Sequence, residues 1–141
     1  MFSRSQKDTP ESSTLMLWTG RVLSGLFALF MAFDAGIKLL QLRIVEESMA
    51  ALGYPPGLGL PIGGIEAVLL VLYLVRRTSV LGAVLFMGIL GGAVASHLRM
   101  GDPLFSHILF GVYLGLFAWG GLWLRDPQLR AIFPLRRPQN A

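Results

Sequence analysis

Residues 79–98 read SVLGAVLFMGILGGAVASHL, twenty positions without a single Asp, Glu, Lys or Arg. A helix over this stretch is ~30 Å long, the thickness of a bilayer's hydrocarbon core. It is apolar nearly all round, whereas a surface helix of a soluble domain keeps one polar face. Arg76-Arg77-Thr78 precede it and Arg99 follows, so charge begins where the span ends. The stretch predicts a transmembrane helix.

Three further stretches read the same way. One runs from about Leu15 to Leu40, one from about Pro61 to Val75, and one from about Leu104 to Leu124. The composition agrees with four spans. Only 14% of the 141 residues are charged, against about 25% in a soluble domain, while 54% are hydrophobic and the mean hydropathy is +0.63. The fold class is therefore an all-α membrane protein, a four-transmembrane-helix bundle. Residues 1–14 have the mixed polar composition of a disordered tail, 15–124 form the membrane domain, and 125–141 form a basic juxtamembrane tail. The polar start argues against a cleaved signal peptide.

The connections are also legible. The segment 45–52 suits a short surface helix stopped by Gly53, and Gly53-Tyr54-Pro55-Pro56-Gly57 is strong turn chemistry. Pro61 fits a first helical turn, and Asp102-Pro103 reads as an N-cap followed by proline. In the last tail Leu129, Ile132 and Phe133 share a face flanked by Arg130, Arg136 and Arg137, which suits an anionic membrane surface.

The net charge of +4 does not point to nucleic acid. Ten of the twelve cations are arginines, and they sit mainly beside the apolar runs. Arg4, Lys7, Arg76, Arg77, Arg125, Arg130, Arg136 and Arg137 fall on one side of a four-span chain, and only Lys38, Arg43 and Arg99 on the other. By the positive-inside rule both termini are cytoplasmic. Trp18, Tyr73, Trp119 and Trp123 then fall at one level near that face, as an aromatic belt. The chain has no cysteine, which removes disulfides and thiolate chemistry. It also lacks a nucleophile–base pair and a phosphate loop.

Ionisable groups inside spans are costly and tend to be paired or functional. Here they are Arg21, Asp34, Lys38, Glu66, His97, Arg99 and His107. Arg21, one turn beyond Trp18, snorkels toward cytoplasmic headgroups. The other six gather in the outer third and form the candidate ligand-binding set. Asp34 and Lys38 are four residues apart and can pair. Glu66 lies about 9 Å below the outer end of its helix with no cation within a turn, so its partner must be Lys38, Arg99 or a histidine. His97 and His107 can meet across the outer turn, but no third ligand is patterned beside them and no metal is expected. Gly88-Gly92-Ser96 and Gly111-Gly115 read as close-packing stripes between membrane helices.

Several of these residues stand in motifs of one family. Gly36-Ile37-Lys38-Leu39, Leu52-Gly53-Tyr54-Pro55, Gly63-Gly64-Ile65-Glu66-Ala67, Ala95-Ser96-His97-Leu98 and Gly101-Asp102-Pro103 resemble, in order and spacing, the DoxX-like family of four-helix bacterial membrane proteins, over about Leu17 to Leu124. The resemblance implies the bacterial inner membrane. It also implies a link to quinone-dependent sulfur oxidation or to membrane assemblies against oxidative and thiol stress, while many members have no established activity. Three readings follow. The first is a non-catalytic subunit whose outward polar pocket binds a small molecule or a membrane or periplasmic partner protein. The second is a quinone-linked oxidoreductase subunit, with quinone the one cofactor left open and a partner supplying the redox centre. The third is a small transporter, which four spans allow only as a homo-oligomer.

Overall fold

The computed structural model describes residues 13–135. The first twelve residues, and with them most of the expected polar tail, lie outside the described residues, as do Arg136 and Arg137. Among the described residues every regular element is helical.

Helix α1, Thr14–Leu39, starts on Ser13, whose Oγ accepts the Met16 amide at 3.3 Å, satisfying one of the free donors of the first turn. The amphipathic α2, Arg43–Ala51, buries only Val45. Gly53 then adopts φ +79°, the left-handed conformation that ends a helix and favours glycine. The loop to α3, Gly59–Leu74, is held by Glu46, whose Oε2 accepts the Gly57 amide at 3.2 Å. A four-residue return, 75–78, leads to α4, Ser79–Met100. Next comes a single π-helical turn, Leu104–Ile108, which runs through Leu109 into α5, Phe110–Arg125. Last is α6, Pro127–Ile132, capped by Asp126, which accepts the Gln128 and Leu129 amides.

Helix α1 packs against α3 and α5, and α4 packs against the same two, so the four longest helices close a ring. Phe27, Tyr73 and Phe86 fill its centre, all fully buried, with edge-to-face ring contacts of 4.9 and 5.1 Å. The outer faces carry apolar side chains such as Leu29, Phe33, Val68, Val71 and Leu116, all exposed. That is the reverse of a soluble protein and suits a lipid surroundings. Thr14–Leu39, Ser79–Met100 and Leu104–Arg125 are long and apolar enough to cross a membrane, whereas α3, at 16 residues, is apolar but shorter.

Four sequence expectations change. Tyr73 does not join an aromatic belt: it is 1% exposed and its hydroxyl reaches Ser24 Oγ at 3.0 Å and the Ala118 carbonyl at 2.9 Å. A buried phenol needs such partners, and two neighbouring helices supply them. Gly88 and Gly92 do not pack helices together, because a Cβ on either would meet nothing within 4 Å. The tight approaches lie elsewhere: Gly20 against Gly121 for α1 and α5, Gly63 against Lys38 and Ala35 for α1 and α3, and Gly82 against Tyr73 for α3 and α4. Gly111 does pack closely, against Leu90 and Val94. Asp102 caps no helix, since its carboxylate is taken by His97 at 2.7 Å. Finally, Leu129 turns into the core rather than toward a membrane surface, and Arg130 donates to the Trp123 and Leu124 carbonyls at the end of α5.

Candidate functional site

Gly63 and Glu66 stand three residues apart and share a face of α3. A Cβ at Gly63 would lie 2.6 Å from Lys38 Cβ, so the missing side chain lets the Lys38 stem cross α3. The ammonium then reaches two carboxylates, Asp34 Oδ2 at 2.5 Å and Glu66 Oε1 at 2.6 Å. Glu66 is 1% exposed. Its other oxygen, Oε2, is buried and has no hydrogen-bond partner among the described residues. An unpaired buried acceptor of this kind is uncommon, because its desolvation goes uncompensated.

The outer end of α4 contributes a second polar group. Ser96 Oγ donates to the Gly92 carbonyl at 2.8 Å, using its one proton, so at the 2.5 Å contact with Tyr54 the tyrosine is the donor. That bond ties the α2–α3 loop to α4. Arg99 adds a second tie, donating to the Leu52 carbonyl at 2.6 Å. His97 Nδ1 meets the Asp102 carboxylate at 2.7 Å. An ionised carboxylate only accepts, so Nδ1 carries the proton and, in the neutral ring, Nε2 is left as an acceptor. His107 sits in the π-helical turn, where wider spacing frequently accompanies functional sites. Its Nδ1 is 2.8 Å from Ser106 Oγ, and its ring is 5.5 Å from that of His97.

These groups surround one cavity of about 420 Å³, within the ~300–1,000 Å³ usual for small-molecule sites. Asp34, Lys38, Glu66, His97 and His107 all line it, together with Tyr54 and Ser96. Arg99 does not; it holds the loop beside it. Gly88 and Gly92 of α4 also line it, and an added Cβ at either would meet nothing within 4 Å. The remaining walls are apolar, including Met31, Leu90, Phe110 and Leu114. Phe30, Phe110 and Leu114 also line a separate apolar groove between α1 and α5. The edge-to-face pair Phe30–Phe110, with centroids 5.1 Å apart, therefore stands at the boundary between cavity and groove.

Several residues that line this cavity, among them Lys38, Tyr54, Glu66, Ser96 and His97, stand in the motifs quoted from the sequence, and the sequence model of the DoxX-like family matches residues 22–121. The chain belongs to the DoxX-like family. With three helices of membrane-crossing length and composition, this DoxX-like chain is an integral membrane protein. No curated protein and no solved structure gives a match. Among the described residues no three His, Asp or Glu side chains are placed to hold a metal ion.

Tyr54, Asp102 and Ser96 are absent from the sequence-derived candidate set, although all three stand in the quoted family motifs. Each had a competing local role: turn residue, helix cap, packing stripe. The available signal was proximity to His97, since Ser96 precedes it and Asp102 follows five residues later.

Proposed function

We propose that this DoxX-like protein crosses the bacterial inner membrane four times with both termini cytoplasmic. It acts as a non-catalytic membrane component whose outward-facing cavity binds a small amphiphilic molecule. The observation that carries the reading is the buried, unpaired Oε2 of Glu66, a residue that lines a cavity of about 420 Å³ with a polar cluster and apolar side chains in its walls. A polar head would meet the Asp34–Lys38–Glu66 network. An apolar body would lie along the Phe30, Phe110 and Leu114 wall, beyond which lies the lipid-facing groove.

A quinone-linked oxidoreductase subunit is the second reading. Tyr54, Lys38 and His97 supply polar groups around a cavity that suits a ring, and the wider DoxX and DoxD group is associated with quinone-linked sulfur oxidation. A quinone carbonyl only accepts hydrogen bonds, however, and cannot satisfy Glu66 Oε2; a quinol hydroxyl can. Native mass spectrometry of gently purified protein decides between occupants. The expected spectrum shows one small amphiphile per chain, lost in Gly92→Leu, a substitution at a cavity-lining position where an added Cβ meets no neighbour within 4 Å. Equal small-molecule content in the two proteins would sink the cavity reading, and a bound quinol would favour the second.

A further inference from the structure

Charge within the cavity wall is unbalanced. Asp34 and Glu66 share one ammonium, that of Lys38, so with both carboxylates ionised the three groups leave one negative charge over. His97 brings no surplus positive charge, because protonating it only cancels Asp102. Lys38 is the one Lys or Arg side chain lining the cavity among the described residues. The surplus lies at a specific residue, since Glu66 lines the cavity and its Oε2 is buried without a hydrogen-bond partner among the described residues.

We infer that the cavity receives a protonated primary amine carried on an apolar body, the Glu66 carboxylate turning to bring Oε2 to an ammonium N–H. This rests on the amphiphile reading above and adds the chemistry of the head group. An ammonium meets both requirements of the site: it donates to the orphaned oxygen and it neutralises the surplus charge. A hydroxyl head donates but leaves the charge. A quaternary ammonium balances the charge but has no N–H to give. A carboxylate or phosphate head is repelled. Size also fits, since a cavity of about 150 Å³ already accepts benzene, and this one is nearly three times larger.

The test uses the full chain in phosphatidylcholine nanodiscs. Equilibrium dialysis measures uptake of octylamine, octanol and octyltrimethylammonium, with partition into empty nanodiscs subtracted. Octylamine should bind saturably and at least about tenfold tighter than either analogue, the scale of one hydrogen bond to a charged group. Glu66→Gln should remove that preference. Asp34→Asn, at a more exposed site, should weaken octylamine alone, which keeps the test informative if the first variant folds poorly. Octanol binding as tightly as octylamine would overturn the ammonium assignment, showing that Glu66 holds its own proton, while leaving the amphiphile reading standing if Gly92→Leu abolishes both. Saturable uptake of none of the three probes would overturn the ammonium assignment and the amphiphile reading together.

Discussion

Lys38 serves two carboxylates at once, and removing it exposes what the arrangement costs. Its side chain is 15% exposed and Glu66 1%, so both charges are largely shielded from water. Breaking a buried pair by deleting one partner costs about 3–5 kcal/mol, because the other charge is left uncompensated. Lys38→Met should therefore destabilise the protein by that amount in reversible denaturant titrations in detergent micelles. Adding Glu66→Gln to it should recover most of the loss, since the deep site then holds no charge. A double variant no more stable than Lys38→Met would show that packing of the lysine stem against Gly63, rather than charge, sets the cost. At this scale the sequence was informative in proportion to how anomalous each residue was. Charges in apolar runs stand out, so Asp34, Lys38, Glu66 and His97 could be singled out. Tyr54 and Asp102 sit in turn motifs where their residue types are ordinary, and nothing local distinguishes a tyrosine that donates to Ser96 from one that faces solvent.

Among the helices, glycine has opposite meanings at positions that look alike in the sequence. Gly82 and Gly88 both lie in α4, six residues apart. A Cβ at Gly82 would stand 2.5 Å from the Tyr73 nitrogen, which is backbone and cannot swing aside. A Cβ at Gly88 would meet nothing. Gly82→Ala should push α3 and α4 apart and cost about 1–3 kcal/mol, the range for overpacking. Gly88→Ala should be neutral or stabilising by up to about 1 kcal/mol through helix propensity. Thermal melts of the two variants in one detergent check the contrast, and equal loss in both would mean that Gly88 also meets a neighbouring helix. Spacing of small residues in the sequence marks a face but does not say whether a helix or a void lies opposite. Here α4 turns Gly82 toward α3, and Gly88 and Gly92 toward the cavity. The helices themselves were legible to within a few residues, because long apolar runs bounded by Arg, Gly and Pro leave little choice. The π-helical turn at 104–108 was not, since its wider spacing leaves no mark on a uniformly apolar segment.

For the whole molecule the decisive question is whether α3 spans. Its 16 residues reach ~24 Å, short of a ~30 Å core, and a short helix is accommodated by local thinning or by its flanking residues at modest cost. Its place in the ring, between α1 and α4, argues that it crosses with them: the chain returns within four residues at 75–78, so α4 starts where α3 ends. Four crossings put the start of α1 and the segment after α5 on the same side, whereas three put them on opposite sides. The absence of cysteine makes this directly measurable with single-cysteine variants at exposed positions: Ser13→Cys before α1, Glu47→Cys in α2 and Gln128→Cys after α5. In intact spheroplasts a membrane-impermeant maleimide should label Glu47→Cys alone. Ser13→Cys and Gln128→Cys should react only after the membrane is permeabilised, as the positive-inside rule predicts from the arginines at 76, 77, 125 and 130. Labelling of Gln128→Cys but not Ser13→Cys from outside would mean three spans. Labelling of both from outside, with Glu47→Cys protected, would invert the protein and turn the cavity toward the cytoplasm.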